Sequence, residues 1–154
     1  MLNEKKITVV VPAYNEERLI ERTLSTMPSF VDTIVVINDG SSDNTGSLIE
    51  QATQRDSRIV HIENQQNLGL GKSIIEGYKK AQELRTDVIA VMAGDAQMDS
   101  DDLENVIRPI IEEKALYVKG NRLLTPGVFQ IMPKYRFFGN AILTLLTKFA
   151  TGYF

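Results

Sequence analysis

The 154 residues, 43% hydrophobic and 24% charged, suffice for one domain with a sizeable buried core and have the balance of a soluble globular protein. A net charge of -3 gives no electrostatic case for a nucleic-acid partner, which normally needs a basic face, and the lack of cysteine excludes disulfides and thiolate metal sites. The polar start, residues 1–6, has no signal-peptide core, and no stretch reaches the roughly 18 apolar residues of a membrane span, so the expected location is cytoplasmic.

Apolar runs then alternate with helical patterns. Ile7-Thr8-Val9-Val10-Val11-Pro12 reads as a first strand, ended by a proline that cannot donate to a ladder. Residues 16–26 read as a helix with Leu19, Ile20 and Leu24 on one face. Residues 31–37 form the second strand, stopped by the turn signal Asn38-Asp39-Gly40-Ser41, and Ser42 or Asp43 caps a helix running to about Gln54. A short third strand spans 58–62. A glycine-bearing loop leads to a helix over 72–84, whose buried stripe is expected to be Ile74, Ile75, Tyr78 and Ala81. The run 88–92 reads as a central parallel strand buried on both faces, followed by a helix over 100–113 and a fifth strand over 115–120. This alternation predicts a mostly parallel, doubly wound α/β sheet sandwiched by helices. Beyond a loop at 123–134, residues 135–150 form a helix rich in Phe137, Phe138, Ile142, Leu145, Leu146 and Phe149. An α/β domain ending on so apolar a helix looks cut short. The surplus apolar surface is expected to pair copies of the chain as a homodimer, with peripheral membrane contact as the alternative.

Four strand ends carry polar groups. In open α/β sheets that edge is where ligands bind. The first strand leads into Pro12-Ala13-Tyr14-Asn15-Glu16-Glu17, the second into Asn38-Asp39-Gly40-Ser41-Ser42-Asp43, the fourth into Gly94-Asp95-Ala96-Gln97, and the fifth into Gly120-Asn121-Arg122. Pro12 ends pairing so that a loop can turn over a ligand, and Tyr14 offers a stacking face and a hydroxyl. Glu16 and Glu17 also suit a helix N-terminus through the dipole. The Asp39 carboxylate can accept from a ribose hydroxyl or base N–H beside the tight turn at Gly40, or can serve an Asx-turn and cap. Asp95 and Gln97, two residues apart, can point both oxygens one way, as a divalent cation bridging to phosphate requires. Gly71-Lys72-Ser73 matches the end of a P-loop, but Gln66 stands where its first glycine belongs. Lys72 therefore reads as a phosphate or base contact, or as a solvated lysine. His61 reads as structural, and Asp99, Asp101 and Asp102 fit a capped first turn better than a general base.

In order and spacing, these motifs resemble the family-two glycosyltransferases of the GT-A (Rossmann-like) fold, especially the polyprenyl-phosphate sugar synthases that include dolichyl-phosphate mannose synthase. The resemblance covers essentially the whole chain, residues 1–154, as one nucleotide-sugar-binding domain lacking the C-terminal part of the acceptor region. It implies nucleoside contacts from Pro12, Ala13, Tyr14, Glu16, Asp39 and Gly40, and donor contacts from Lys72, Gly94 and Asp95. Arg122 would reach a donor or acceptor phosphate. It implies a Mg²⁺ or Mn²⁺ ion with Asp95 as principal ligand and Gln97 as ligand or support. Many members have a second Asp two residues before Asp95, where this chain has Ala93. The implied reaction is inverting transfer of a sugar from a UDP- or GDP-linked donor to a polyprenyl phosphate or a saccharide hydroxyl, at the cytoplasmic face of a membrane. A general base, where used, would lie beyond residue 154. The readings set against this are a non-catalytic nucleotide-binding module and a P-loop phosphotransferase. A dinucleotide oxidoreductase is disfavoured, since G-x-G-x-x-G does not follow the first strand.

Overall fold

A computed structural model of the chain describes residues 2–120 and 134–152. Two compact units make up the chain, Met1–Val118 and Lys119–Phe154, and each is taken by itself.

The first unit is built on four parallel strands in the order β3-β2-β1-β4. β1 (Ile7–Ala13) and β2 (Thr33–Asn38) are buried along their whole length, while β3 (Ile59–Glu63) and β4 (Val88–Val91) are mostly half-buried. In register, Val10 stands between Val35 and Val91. The run at 88–92 is therefore not central. Among the described residues it is the outer strand beside β1, and three of its four strand residues are half-buried. Continuous apolarity marks burial by helices but does not tell an inner strand from an outer one.

Alternate side chains of β1 serve the two faces. Ile7, Val9, Val11 and Ala13 join Ile34 and Val36 in the larger core cluster, with Ile20 and Leu24 of α1 (Ile20–Ser25), Ile49 of α2 (Thr45–Arg55), and Leu103, Ile107 and Ile111 of α4 (Leu103–Ile111). Val10, Val35 and Ile37 form the second cluster, under α3 (Leu70–Glu83). α3 rests on small residues: Ser73, Gly77 and Ala81 are its buried ones, at four-residue spacing. A Cβ on Gly77 would meet Val10 Cγ1 at 2.2 Å, so the absence of a side chain there sets how closely helix and sheet approach. The stripe expected from size is wrong except for Ala81, since Ile75 and Tyr78 are exposed and Ile74 is half-buried.

Three further expectations need correction. β1 runs through Pro12 to Ala13. The Pro12 carbonyl accepts from Gly94 N at 3.2 Å, so its ring nitrogen faces β4, and the β1–β4 ladder stops at Val10–Val91 while pairing with β2 continues. Pro12 ends one ladder, not the strand. The first helix begins at Ile20 and not at 16, because the Glu16 and Glu17 amides donate to Thr45 and Asp43 of the neighbouring loop. Residues 115–120 form no strand: Lys114 N and Ala115 N fold back onto Pro109 O at 2.9 and 3.1 Å, and Leu116 and Tyr117 are exposed. Strand propensity is realised only where a neighbouring strand is there to pair.

In the second unit, α5 (Lys134–Thr151) exposes Tyr135, Phe138, Ile142, Leu143, Leu145, Leu146 and Phe149. No helix among the described residues is long and apolar enough to cross a membrane. The Phe137 side chain and the loop at 123–133 lie outside the described residues.

Candidate functional site

Strands are added outward from β1 to β3 and then on the opposite side of β1 at β4, and ligands of such sheets bind at that switch point, outside the carboxyl ends of the strands. Both flanks of β1 carry a carboxylate there. Asp39 N donates to Ala13 O at 2.9 Å on one side, and Gly94 N donates to Pro12 O at 3.2 Å on the other. Two strand spacings put Asp39 and the turn holding Asp95 roughly 10 Å apart across the end of β1. That distance suits a nucleoside at one end and a diphosphate at the other.

The loops after β1 and β2 are latched together. Asn15 N donates to Ser41 Oγ (2.9 Å) and Ser42 N to Asn15 Oδ1 (2.9 Å). Glu16 N donates to Thr45 Oγ1 (2.8 Å), Glu17 N to Asp43 Oδ2 (3.2 Å), and Asn44 N to Glu17 Oε2 (3.2 Å). Asp43 also accepts from Thr45 N at 3.0 Å, so it binds the first amide of α2 as well as joining the two loops, while the N-cap position itself falls on Asn44 and not on Ser42 or Asp43. Tyr14, half exposed at 47%, stands free of the latch as a stacking surface.

Asp39 is 3% exposed and organises the loop after β3. Its Oδ1 accepts from Asn64 Nδ2 and Leu68 N, both at 3.0 Å, and its Oδ2 from Gly69 N at 2.9 Å. Burial alone would push this carboxyl up, but the bonds from Asn64, Leu68, Gly69 and Ser73 outweigh it and hold Asp39 below the ordinary carboxylate range. The Ser73 side chain also bonds this carboxylate, so its roughly four acceptor directions are engaged within the protein. Gly40 turns the chain beside it at φ +67°, where a Cβ would stand 2.5 Å from the Gln66 carbonyl carbon. Lys72 is exposed in the first turn of α3, just past the loop that Asp39 anchors.

On the other flank Asp95 is half-buried and Gln97 exposed, and Asp95 Oδ1 accepts from Gln97 N at 3.1 Å. Gly94 is buried: a Cβ there would meet Ile20 Cδ1 at 3.2 Å and Ala13 Cβ at 3.3 Å. Burial first, then the charges of Asp95 and Asp43, push the Glu16 carboxyl above its ordinary range. This concentration of negative charge is what a cation would relieve. Among the described residues no three His, Asp or Glu side chains gather closely enough to chelate an ion. The donor set therefore fits a metal held by Asp95 with phosphate and water oxygens, an arrangement Mg²⁺ commonly adopts.

The structure thus brings Pro12, Ala13, Tyr14, Glu16, Asp39, Gly40, Gly94, Asp95 and Gln97 to one edge, while Arg122 lies outside the described residues. Sequence reasoning missed the latch and Asn64. The dense polar run at 38–45 carried a signal for the first, and Asn64, the first polar amide after β3, carried a weak one for the second. His61 lies in β3, with its Nε2 3.0 Å from Glu63 Oε2 but outside hydrogen-bonding alignment. Asp99 accepts from Asp101 N at 3.0 Å, which confirms it as a turn cap.

The profile of glycosyl transferase family 2 matches residues 8–153. The UDP-N-acetylglucosamine–dolichyl-phosphate N-acetylglucosaminyltransferase of Methanococcus voltae is 32% identical, over 98% of this chain and 65% of that protein. The chain therefore spans less than two thirds of that relative's length. Among solved structures, a mannosyltransferase from Pyrobaculum calidifontis in complex with GDP-Man and Mn²⁺ is similar with a TM-score of 0.57 and 21% identity, over 68% of this chain and 32% of that one. Glucosyl-3-phosphoglycerate synthase of Mycobacterium tuberculosis, with Mn²⁺, UDP and glucosyl-3-phosphoglycerate, gives 0.56 and 19%, over 70% and 40%. These likenesses show the fold, α/β of the GT-A kind.

Proposed function

The chain belongs to glycosyl transferase family 2, and from that premise we propose that it is the donor-binding domain of an enzyme that transfers a sugar from a nucleotide-diphosphate sugar to a polyprenyl phosphate or saccharide hydroxyl. The observation that carries this reading is the placement of Asp39 and the Asp95 turn on the two flanks of β1 at the switch point. Asp39 would accept from the ribose or base in exchange for one of its present partners, with Tyr14 stacking nearby. Asp95, supported by Gln97, would hold Mg²⁺ or Mn²⁺. That ion, when bound, offsets the charge developing on the leaving diphosphate. Glu16 adds to the field that attracts it, while the latch between the first two loops keeps the nucleoside pocket formed before the donor arrives. A phosphate acceptor is already anionic and needs no general base, so inversion by direct displacement suits a lipid phosphate. The Methanococcus voltae relative, named for UDP-N-acetylglucosamine and dolichyl phosphate, supports a UDP donor and such an acceptor, and the Pyrobaculum calidifontis neighbour keeps GDP in view.

Residues 1–154 form one nucleotide-sugar domain in this reading, since the family match runs through both units. The exposed apolar side chains of α5 are proposed to pair two copies or to lie on the cytoplasmic face of a membrane, where the acceptor would be. Light scattering with and without lipid vesicles separates these outcomes, and a strict monomer indifferent to lipid defeats both. The functional test is a thermal-shift panel of UDP, GDP, CDP and dTDP with and without Mn²⁺, because a ligand of the native state raises its melting temperature. One nucleotide should stabilise strongly and more so with Mn²⁺. No stabilisation by any of them refutes the reading, and binding without sugar transfer by the full chain leaves a nucleotide-binding module.

A further inference from the structure

Thr23 lies on α1, 3% exposed, and its hydroxyl reaches residues 71 and 73 positions away in the chain. Oγ1 donates to Gly94 O at 3.1 Å and accepts from Ala96 N at 3.1 Å. It thus grips the backbone on both sides of Asp95. The turn needs such a grip, because Ala96 has φ +52°, a left-handed conformation that disfavours any residue with a Cβ. The hydroxyl also lies within hydrogen-bonding distance of its usual helical partner, Leu19 O four residues back, at 3.3 Å. Ile20 of the same helix and Ala13 of β1 leave no room for a side chain at Gly94, where a Cβ would meet them at 3.2 and 3.3 Å.

We propose that Thr23 is a positioning residue for Asp95, holding the turn so that the carboxylate stands in the crevice ready for a divalent cation. The inference rests on the metal role proposed for Asp95. It places a determinant of cation affinity inside a helix that carries none of the motif residues. Groups that orient a metal ligand typically set metal affinity within about 10- to 100-fold.

Calorimetric titration of the full chain with UDP and GDP, with and without Mn²⁺, tests it in Thr23→Val, Thr23→Ser and Asp95→Ala. Thr23→Val keeps the side-chain shape and removes the hydroxyl. It should cut the Mn²⁺-dependent gain in nucleotide affinity by at least about tenfold and leave metal-free affinity unchanged, while Thr23→Ser keeps the gain. If Thr23→Val retains the gain that Asp95→Ala loses, the inference is wrong and the site reading stands. Equal loss of affinity with and without metal makes Thr23 merely structural and also overturns it. Retention of the gain in Asp95→Ala removes the site reading and this inference together. Hydrogen exchange on the unmodified protein needs no variant to fold: the Ala96 amide should be protected, and rapid exchange there contradicts the proposal.

Discussion

Replacing Asp39 by alanine should damage both the fold and the site, in separable amounts. The substitution removes the acceptor of Asn64 Nδ2, Leu68 N and Gly69 N, but Asn64 Nδ2 keeps Glu76 Oε2 and Gly69 N keeps Asn67 Oδ1, so of the three it is Leu68 N that is left without a partner. A buried donor left unsatisfied costs about 1–3 kcal/mol. The loop at 64–69 is half-exposed to exposed, so water can reach this group and the low end of that range applies. The cost is roughly 1 kcal/mol, and for a domain of this size that lowers Tm by roughly 2–4 °C. Asn64 is also tied to Glu76 Oε2 of α3 at 3.0 Å, so the loss should spread to the N-terminal half of that helix. The carboxylate's lowered pKa fixes the pH dependence. The unfolded chain binds more protons than the folded one in the acid range, so the stability from Asp39 is complete above the ordinary Asp value of 3.8 and is lost as pH falls through the lower folded value. Denaturant unfolding of the wild type and of Asp39→Asn from pH 7 to pH 2 should therefore converge at the acid end. Equal stability of Asp39→Ala and wild type at pH 7, or parallel pH curves, would refute the reasoning. Binding is read independently: nucleoside affinity should fall with or without metal. A loss seen only with metal would assign Asp39 to the metal site instead.

Asp95→Ala should keep the fold and lose metal-dependent nucleoside-diphosphate binding, because its carboxylate serves the crevice and not the core; calorimetry showing unchanged metal-dependent affinity refutes the assignment. Glu16→Gln should raise the Tm of the metal-free protein at neutral pH. The folded pKa of Glu16 is raised by burial, Asp95 and Asp43, so its charged form opposes folding once pH climbs above 4.5 and through the folded value, and the amide removes that opposition. The same variant should gain less from added Mn²⁺, and an unchanged or lower metal-free Tm counts against the charge cluster.

Strands β1 to β4 and helices α2 to α5 were legible because β-branched runs and apolar periodicity report burial directly. The misreadings share a physical cause, which is that partners distant in sequence decide the outcome. Helix α3 is seated by Gly77 against Val10, a contact that favours the absence of a side chain, so size misidentified its stripe. The first helix starts late because Thr45 and Asp43 take its leading amides. Residues 115–120 have strand propensity but nothing to pair with among the described residues. In the site, the motif residues at the strand ends were legible because turn chemistry and family resemblance both mark them. The alternative expected for Asp39, an Asx-turn and cap, is replaced by an anchor for the distant loop at 64–69, a role decided by partners remote in sequence. Thr23 was not legible, because a threonine inside a helix carries no sign of the turn it will hold.

Diffraction from crystals grown with Mn²⁺ and the nucleoside diphosphate that binds tightest, recorded with the manganese anomalous signal, tests the central claim most directly. A manganese peak within coordinating distance of the Asp95 carboxylate, with the base or ribose beside Asp39 and Tyr14, is the predicted result. Phosphates seated on residues 71–73 at the start of α3, with no manganese at Asp95, would contradict it.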